Sequence, residues 1–185
     1  WLCSASCFIL NAEVRNPALL RLFGWSEPVA TRVLCAQLLA LASAFDSLDA
    51  SQPSQAEAKK ELTQQIVVVA PQIYRLLSQR AGSSDAKEPS AALREMQSAL
   101  KGRAFVWTGE SFAAAERLAF AVAVEAPPYC SRFPAELRAF QPLFRALGVR
   151  DAFSALDYAD VLAAMKREVG DGALSSEQAE TAVTI

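Results

Sequence analysis

The chain has 185 residues, of which 52% are apolar and 21% are charged, a composition that excludes an intrinsically disordered segment. Its formal net charge of −2 lacks the positive excess of nucleic-acid-binding proteins, so no nucleic-acid partner is expected. The absence of histidine excludes histidine-based catalytic triads and histidine-ligated zinc.

The first ten residues and the positions of the cysteines bear on where in the cell the protein is located. Trp1 to Leu10 has no charged residue before its apolar ones, which argues against a secretory signal peptide. Because the sequence opens on Trp1, we expect it to be part of a longer chain. The cysteines, at positions 3, 7, 35 and 130, are spread through a domain large enough to fold without disulfides, so we expect reduced thiols and a cytoplasmic location. Apolar runs shorter than roughly 20 residues predict no membrane partner.

Apolar residues at helical spacing dominate the first hundred residues. Helices are predicted from Asn16 to Phe23, from Ser26 to Phe45, from about Gln55 to Arg80 and from Ser90 to Leu100. Pro71 lies inside the long third helix, where it removes a backbone donor and predicts a kink or two abutting helices. The β-branched run from Ile66 to Val69 leaves a strand as the alternative there.

The apolar period changes after Gly102. Ala104 to Thr108 and Arg117 to Val124 are predicted to be the two strands of one β-hairpin, and strand is expected only in this region. Trp107 is predicted to be a buried anchor where the hairpin meets the helices. Gly109, at the turn, is predicted to need a backbone angle that a Cβ atom makes unfavourable.

Helical signals return in the last third of the chain. Pro134 introduces a predicted helix that ends at Gly148, with a bend at Pro142. Ser154 with Asp157, and Ser175 with Gln178, have the spacing of capping boxes that open two further helices. The fold class is therefore mainly α, a helical module with one small β-hairpin. Residues 1–103 form its N-terminal helical part and residues 104–185 its hairpin and C-terminal helices, expected to unfold as one cooperative unit.

Residues suited to chemistry are sparse. The glycines form no phosphate-binding loop, and Cys3 with Cys7 supplies too few ligands for zinc. Cys130 beside Arg132 is a weak candidate for a nucleophile. The dense aromatic residues of the second half fit a hydrophobic core better than a ligand pocket, which stays the alternative. We therefore predict that the chain is not an enzyme and has no catalytic, cofactor-binding or metal-binding residue.

The second half of the chain carries the motifs LKG, VWTGESF, FRALGV and FSALDY between Leu100 and Tyr158, and their order resembles that of sacsin and the sacsin-like giant proteins. The run LKGRAFVWTGESF, from Leu100 to Phe112, is similar to a segment in which a helix ends in LKG and a VWxGxxF turn follows. FRALGV and FSALDY occur further along the chain in the same order as in that family. The residues that carry these motifs are Trp107, Gly109, Phe112, Phe144, Gly148, Phe153 and Tyr158.

The resemblance implies a role as well as a fold. In that family an ATP-binding module, of the kind shared by gyrase and the large heat-shock ATPases, precedes the region that this chain resembles. It implies a non-catalytic module of a chaperone-linked scaffold in protein quality control, with motif residues that serve packing. The implied partners are other domains of the same polypeptide, including the ATP-binding module, and chaperones or client proteins. The chain by itself is then expected neither to bind nor to hydrolyse ATP.

Two other functions stay open from the residues. The first is an unrelated helical adaptor that binds a peptide helix in a groove between its own helices, which an exposed apolar groove near Leu38 and Ile73 would favour. The second is an enzyme that uses Cys130, which thiol labelling at neutral pH would reveal.

Overall fold

The computed structural model describes residues 18, 29–82, 89–170 and 172–185. Within these ranges the helices are α1 (Thr31–Asp46), α2 (Pro53–Ala81), α3 (Ala91–Leu100), α4 (Gln141–Ala146), α5 (Ala155–Val169) and α6 (Ser176–Thr184). The strands are β1 (Ala104–Trp107), β2 (Phe112–Ala114), β3 (Leu118–Ala121), β4 (Ser131–Arg132) and β5 (Arg150–Ala152), with 3-10 turns at Ala115–Arg117 and Ala135–Phe140. The prediction of a mainly α protein with a minor β part is confirmed. The predicted helix before Gly24 and the predicted helix start at Ser26 lie outside the described residues.

Helices α1 and α2 bury the apolar stripes that their spacing predicted. Leu34, Leu38 and Phe45 of α1 are buried against α2 and α3. Helix α2 is one continuous helix of 29 residues that runs through Pro71, so of the two alternatives predicted there, a kink or two abutting helices, the second is wrong. The strand alternative for residues 66–69 is wrong too, because Ile66 and Val69 bury the same helical face as residues beyond the proline.

The strand pairing differs from the predicted hairpin. Strand β1 pairs antiparallel with β2, with Trp107 opposite Phe112 and a register shift between Ala104 and Val106. The residues from Leu118 onwards do not pair with β1. They form the centre of a three-stranded parallel sheet in the order β4-β3-β5. The prediction failed because a four-residue turn already brings Phe112 back to Trp107, which leaves the later run free to find distant partners.

Strand is also present outside the predicted region, in β4 and β5. Each has only two or three residues, too few for a period-two pattern to be recognised. Between them, the predicted single helix after Pro134 is a 3-10 turn followed by α4, and Pro142 lies in the first turn of α4 instead of bending a longer helix. Both predicted capping boxes, at Ser154 and Ser175, are confirmed.

Two groups of buried side chains hold the described residues together. The larger one unites α1, α2, α3, the β1-β2 hairpin and α4, and it includes residues on both sides of position 103. The smaller one consists of Ala126, Cys130, Val161 and Met165, and it attaches α5. None of the described helices has the length and apolar character needed to cross a membrane.

Candidate functional site

The motif residues around Trp107 form an aromatic junction between the hairpin and the helices, made of Phe45, Tyr74, Phe105, Trp107, Phe112 and Phe144. The Trp107 side chain is only 7% exposed. Its ring meets the Phe45 ring edge-on, with centroids 5.2 Å apart, and lies 5.1 Å from the ring of Phe112. The prediction that Trp107 is buried where the hairpin meets the helices is confirmed.

Tyr74 is the polar centre of the aromatic junction. Its side chain is 1% exposed, and its hydroxyl donates to the carbonyl oxygen of Phe105 at 2.7 Å. The hydroxyl oxygen of Tyr74 also accepts the backbone N–H of Trp107, at 3.0 Å. Burial raises the pKa of Tyr74 far above its ordinary value, so the hydroxyl stays neutral and serves both roles. It therefore satisfies two backbone groups where the β1 register shifts.

Tyr74 is the residue of the junction that sequence reasoning missed. A tyrosine on the apolar stripe of a helix is nevertheless a signal, because a buried hydroxyl needs a hydrogen-bond partner. The partner itself, 31 residues away in β1, is not visible in the local sequence.

Phe144 joins the hairpin to the parallel sheet. Its fully buried ring stacks near-parallel to that of Phe105, with centroids 6.3 Å apart. It meets the rings of Tyr74 and Phe133 at 5.0 Å and 4.9 Å. Because Phe144 is fully buried among these rings, the core interpretation of the aromatic residues fits better than a ligand pocket.

Gly109 and Gly148 have backbone angles that favour glycine, with φ of +103° and +107°. Gly109 lies in the turn between β1 and β2, which a hydrogen bond from Thr108 N–H to the Ser111 carbonyl closes at 2.9 Å. Gly148 ends α4 and leads into β5, which places both glycines at turns that the sheet pairing requires.

Phe153 and Tyr158 lie apart from the aromatic junction, in the attachment of α5. Both side chains are half-buried, and their ring centroids are 5.9 Å apart. The Tyr158 hydroxyl donates to the carbonyl oxygen of Val124 at 3.0 Å and accepts the N–H of the same residue at 3.2 Å. The seven motif residues are therefore distributed over the aromatic junction, two turns and the α5 attachment, and they do not converge on one site.

A small cleft lies beside Cys130, and we call it the Cys130 cleft. Its volume is about 180 Å³, and its charged lining residues are Glu116, Arg117, Arg150, Asp157 and Asp160. Burial raises the pKa of the Cys130 thiol, although Arg150 and Arg117 act in the opposite direction. Because its pKa is raised, the Cys130 thiol is protonated at neutral pH. A nucleophilic cysteine needs the opposite, a lowered pKa.

The charges of the Cys130 cleft are largely used within the fold. Arg150 forms an ion pair with Asp157, whose carboxylate also accepts the Ser154 N–H in the capping box of α5. Glu116 accepts the N–H of Gly102 through Oε1 at 3.0 Å, while its Oε2 is buried without a hydrogen-bond partner. Arg132, which is close to Cys130 in the sequence, forms an ion pair with Glu125.

Metal and thiol chemistry have few candidates in the part of the chain that the structure describes. Here no group of three or more His, Cys, Asp or Glu side chains is arranged to hold a metal ion. Cys35 is buried in the larger core, and burial raises its pKa to about 11. Cys3 and Cys7 lie outside the described residues.

Exposed apolar side chains cluster at the C-terminal helices, where we define a C-terminal face by Leu162, Leu174 and the groove between α5 and α6. The groove encloses about 210 Å³, with Met165, Val169 and Ala182 in its lining. Leu162 and Leu174 are exposed at its edge. The adaptor hypothesis would be favoured by an exposed apolar groove near Leu38 and Ile73. Both side chains are instead fully buried in the larger core.

Comparisons with known proteins add no relative: no protein-family model matches the chain, no curated protein is detectably similar, and no solved structure matches it. The resemblance to the sacsin-like proteins therefore rests on the motifs of the sequence.

Proposed function

We propose that this chain is a non-catalytic helical module of a sacsin-like protein, acting by surface contact in a chaperone-linked scaffold of the cytoplasm. The observation that carries the proposal is how the motif residues are used. Trp107, Phe112 and Phe144 are buried in the aromatic junction, and Gly109 and Gly148 shape turns. Residues used for packing are what a scaffold module needs, since a binding or catalytic motif would expose its side chains.

The C-terminal face supports contact with other proteins. Leu162 and Leu174 are 38% and 43% exposed where they line the groove between α5 and α6, with Val169 and Ala182 between them and Lys166 at the same groove. Contiguous exposed apolar surface is typical of protein contact sites. Its partner in this proposal is a neighbouring domain of the same polypeptide, such as an ATP-binding module, or an unfolded client protein.

An aggregation assay tests the contact role. Insulin reduced with dithiothreitol precipitates, and light scattering with and without the chain measures how far the chain holds the exposed insulin B chain in solution. We expect suppression by the parent protein and a loss of suppression in Leu162→Ser/Leu174→Ser, which removes the edge of the C-terminal face. Leu156→Ser is the matched control, because Leu156 is 77% exposed but does not line the groove.

The outcomes separate the proposal from a generic effect of exposed leucine. If the parent does not suppress scattering, the client-binding role fails. If Leu156→Ser weakens suppression as much as the groove variant, the C-terminal face is not the contact surface. Far-ultraviolet spectra of each variant check that α5 and α6 remain folded.

A thermal-shift titration with Mg-ATP tests the non-catalytic part. We expect a melting temperature independent of nucleotide, because ligand binding to the folded state would raise it by mass action. A reproducible rise with nucleotide concentration would place nucleotide binding in this chain.

A further inference from the structure

Helix α2 has an outer face that points away from the larger core. At 100° per residue, this face lies opposite Ile66, Ile73 and Leu77, which are fully buried. Its members, all exposed, are Glu57, Glu61, Gln64, Val68, Gln72, Arg75 and Gln79. Val68 lies at its centre, 59% exposed, and Val67 beside it is 54% exposed.

The centre of the outer face presents an exposed apolar side chain between polar ones. An open pocket over Val68 is lined by Glu61, Gln64 and Gln72 of the same helix. A β-branched residue on a solvated helix face has a lower helix propensity than the alanine or lysine that would serve there equally well. Valine at this position is therefore better explained by contact with another surface than by the needs of the helix.

The order of residues on the outer face is self-complementary. Glu61 lies seven residues before Val68 and Arg75 seven after it, while Gln64 and Gln72 lie four before and four after. We propose that this face binds a second copy of the chain, with the two α2 helices antiparallel and a twofold axis at Val68. Each Glu61 then lies opposite Arg75 of the second copy, roughly 10 Å from the axis at the helical rise.

The charges select one orientation. In a parallel pair with the same register, Glu61 would face the second Glu61 and Arg75 the second Arg75, and like charges across an interface disfavour that arrangement. In the antiparallel pair, both ends carry an opposite-charge pair, the glutamines can exchange amide hydrogen bonds, and the valines meet at the axis.

The expected dimer is weak. One helix pair buries less than the roughly 1,200 Å² of a stable interface, and exposed ion pairs add little energy. We therefore expect a reversible dimer with a dissociation constant in the micromolar range or above. Salt should weaken this dimer, because it screens the pairs of opposite charge. The inference concerns α2 and does not depend on the proposed function of the C-terminal face.

Sedimentation velocity over a concentration series tests the contact. We expect the parent chain to pass from monomer to dimer with concentration, and Val68→Lys to stay monomeric. Leu156→Lys is the control, because Leu156 is an exposed apolar residue on α5, 77% exposed against 59% for Val68, and this variant should dimerise like the parent. Glu61→Arg should weaken the dimer at least several-fold, and Glu61→Arg/Arg75→Glu should restore it by exchanging the charges.

Disulfide trapping tests the register. In a Cys3→Ser/Cys7→Ser background, Val68→Cys should form a covalent dimer under mild oxidation, because a twofold axis brings the two introduced thiols within bridging distance. Glu57→Cys, equally exposed on the same helix but far from the axis, should not.

Several results would overturn the proposal. These are a parent chain that is monomeric at every concentration, a dimer that Val68→Lys leaves intact, or a double charge exchange that does not recover dimerisation. A further one is a Val68→Lys variant that melts at a lower temperature while the parent is monomeric. That result would show that the outer face is covered within its own chain.

Discussion

Two tyrosines connect helices of this protein to distant backbone in the same chemical way, and their surroundings differ. Tyr74 donates to Phe105 and accepts from Trp107, and its side chain is fully buried among aromatic rings. Tyr158 donates to and accepts from Val124, yet it is half-buried and has one neighbouring ring, Phe153. The value of a hydrogen bond depends on whether water can replace it, so the same device should stabilise the aromatic junction far more than the α5 attachment.

The largest expected effect is at the aromatic junction. Trp107→Ala should lower the free energy of unfolding by about 3–5 kcal/mol, the usual range for truncating a buried aromatic side chain. The reason is the loss of its contacts with Phe45 and Phe112. Denaturant titration measures the change. A variant that unfolds like the parent but loses binding to a co-purifying partner would show that Trp107 is a recognition residue.

A matched pair of tyrosine substitutions tests the comparison directly. Tyr74→Phe should cost roughly 1–3 kcal/mol, because it leaves the Trp107 N–H and the Phe105 carbonyl buried without their partner. Tyr158→Phe should cost less, since water can reach Val124, whose side chain is half-buried. Equal losses in denaturant titrations would contradict the idea that burial distinguishes the two regions.

The turn of the hairpin should show a smaller effect with a different cause. Gly109→Ala should cost roughly 1–2 kcal/mol, because φ of +103° strains a residue with a Cβ atom even though no atom crowds the position. Glu110→Ala, in the same turn and exposed, is the control and should unfold like the parent. If both variants keep the parent's stability, the turn tolerates another conformation.

The reactivity of the two buried cysteines measures how easily each region opens, and it does so without a substitution in either region. Cys35 lies in the larger core and Cys130 in the smaller one. In a Cys3→Ser/Cys7→Ser background, a thiol reagent at pH 8 should label Cys130 faster than Cys35, because we expect the smaller group of buried side chains to open at a lower free energy. Identical rates would show that one global opening exposes both.

The buried thiol of Cys35 makes the stability of the folded state depend on pH. The folded state holds Cys35 neutral up to a pKa of about 11, against 9.0 when unfolded. Its contribution to stability is therefore fully present below pH 9 and is lost as the pH rises towards 11. Labelling of both cysteines should accelerate with pH, since the thiolate is the reactive form.

Sequence patterns located the helices well and the strands poorly. Helices α1 and α5 have apolar stripes, and α3, α5 and α6 begin at the capping serines Ser90, Ser154 and Ser175, signals that operate within a few residues. Strand pairing joins Ala119 in β3 to Arg150 in β5, across 31 residues, and no local pattern records that choice. The sequence also identified the seven motif residues. It did not reveal that some of them lie in the aromatic junction and others, Phe153 and Tyr158, in the attachment of α5.

By itself, the sequence determined which face of each long helix is apolar, where capping side chains begin α5 and α6, and that Gly109 lies in a turn. These features depend on side-chain periodicity and on backbone angles that neighbouring residues set. Only the tertiary structure decided that β1 pairs with β2, that Tyr74 holds Phe105 and Trp107, and that Val68 stays exposed. Those outcomes depend on contacts between residues far apart in the chain, where chain closure and the competition between partners outweigh local preference.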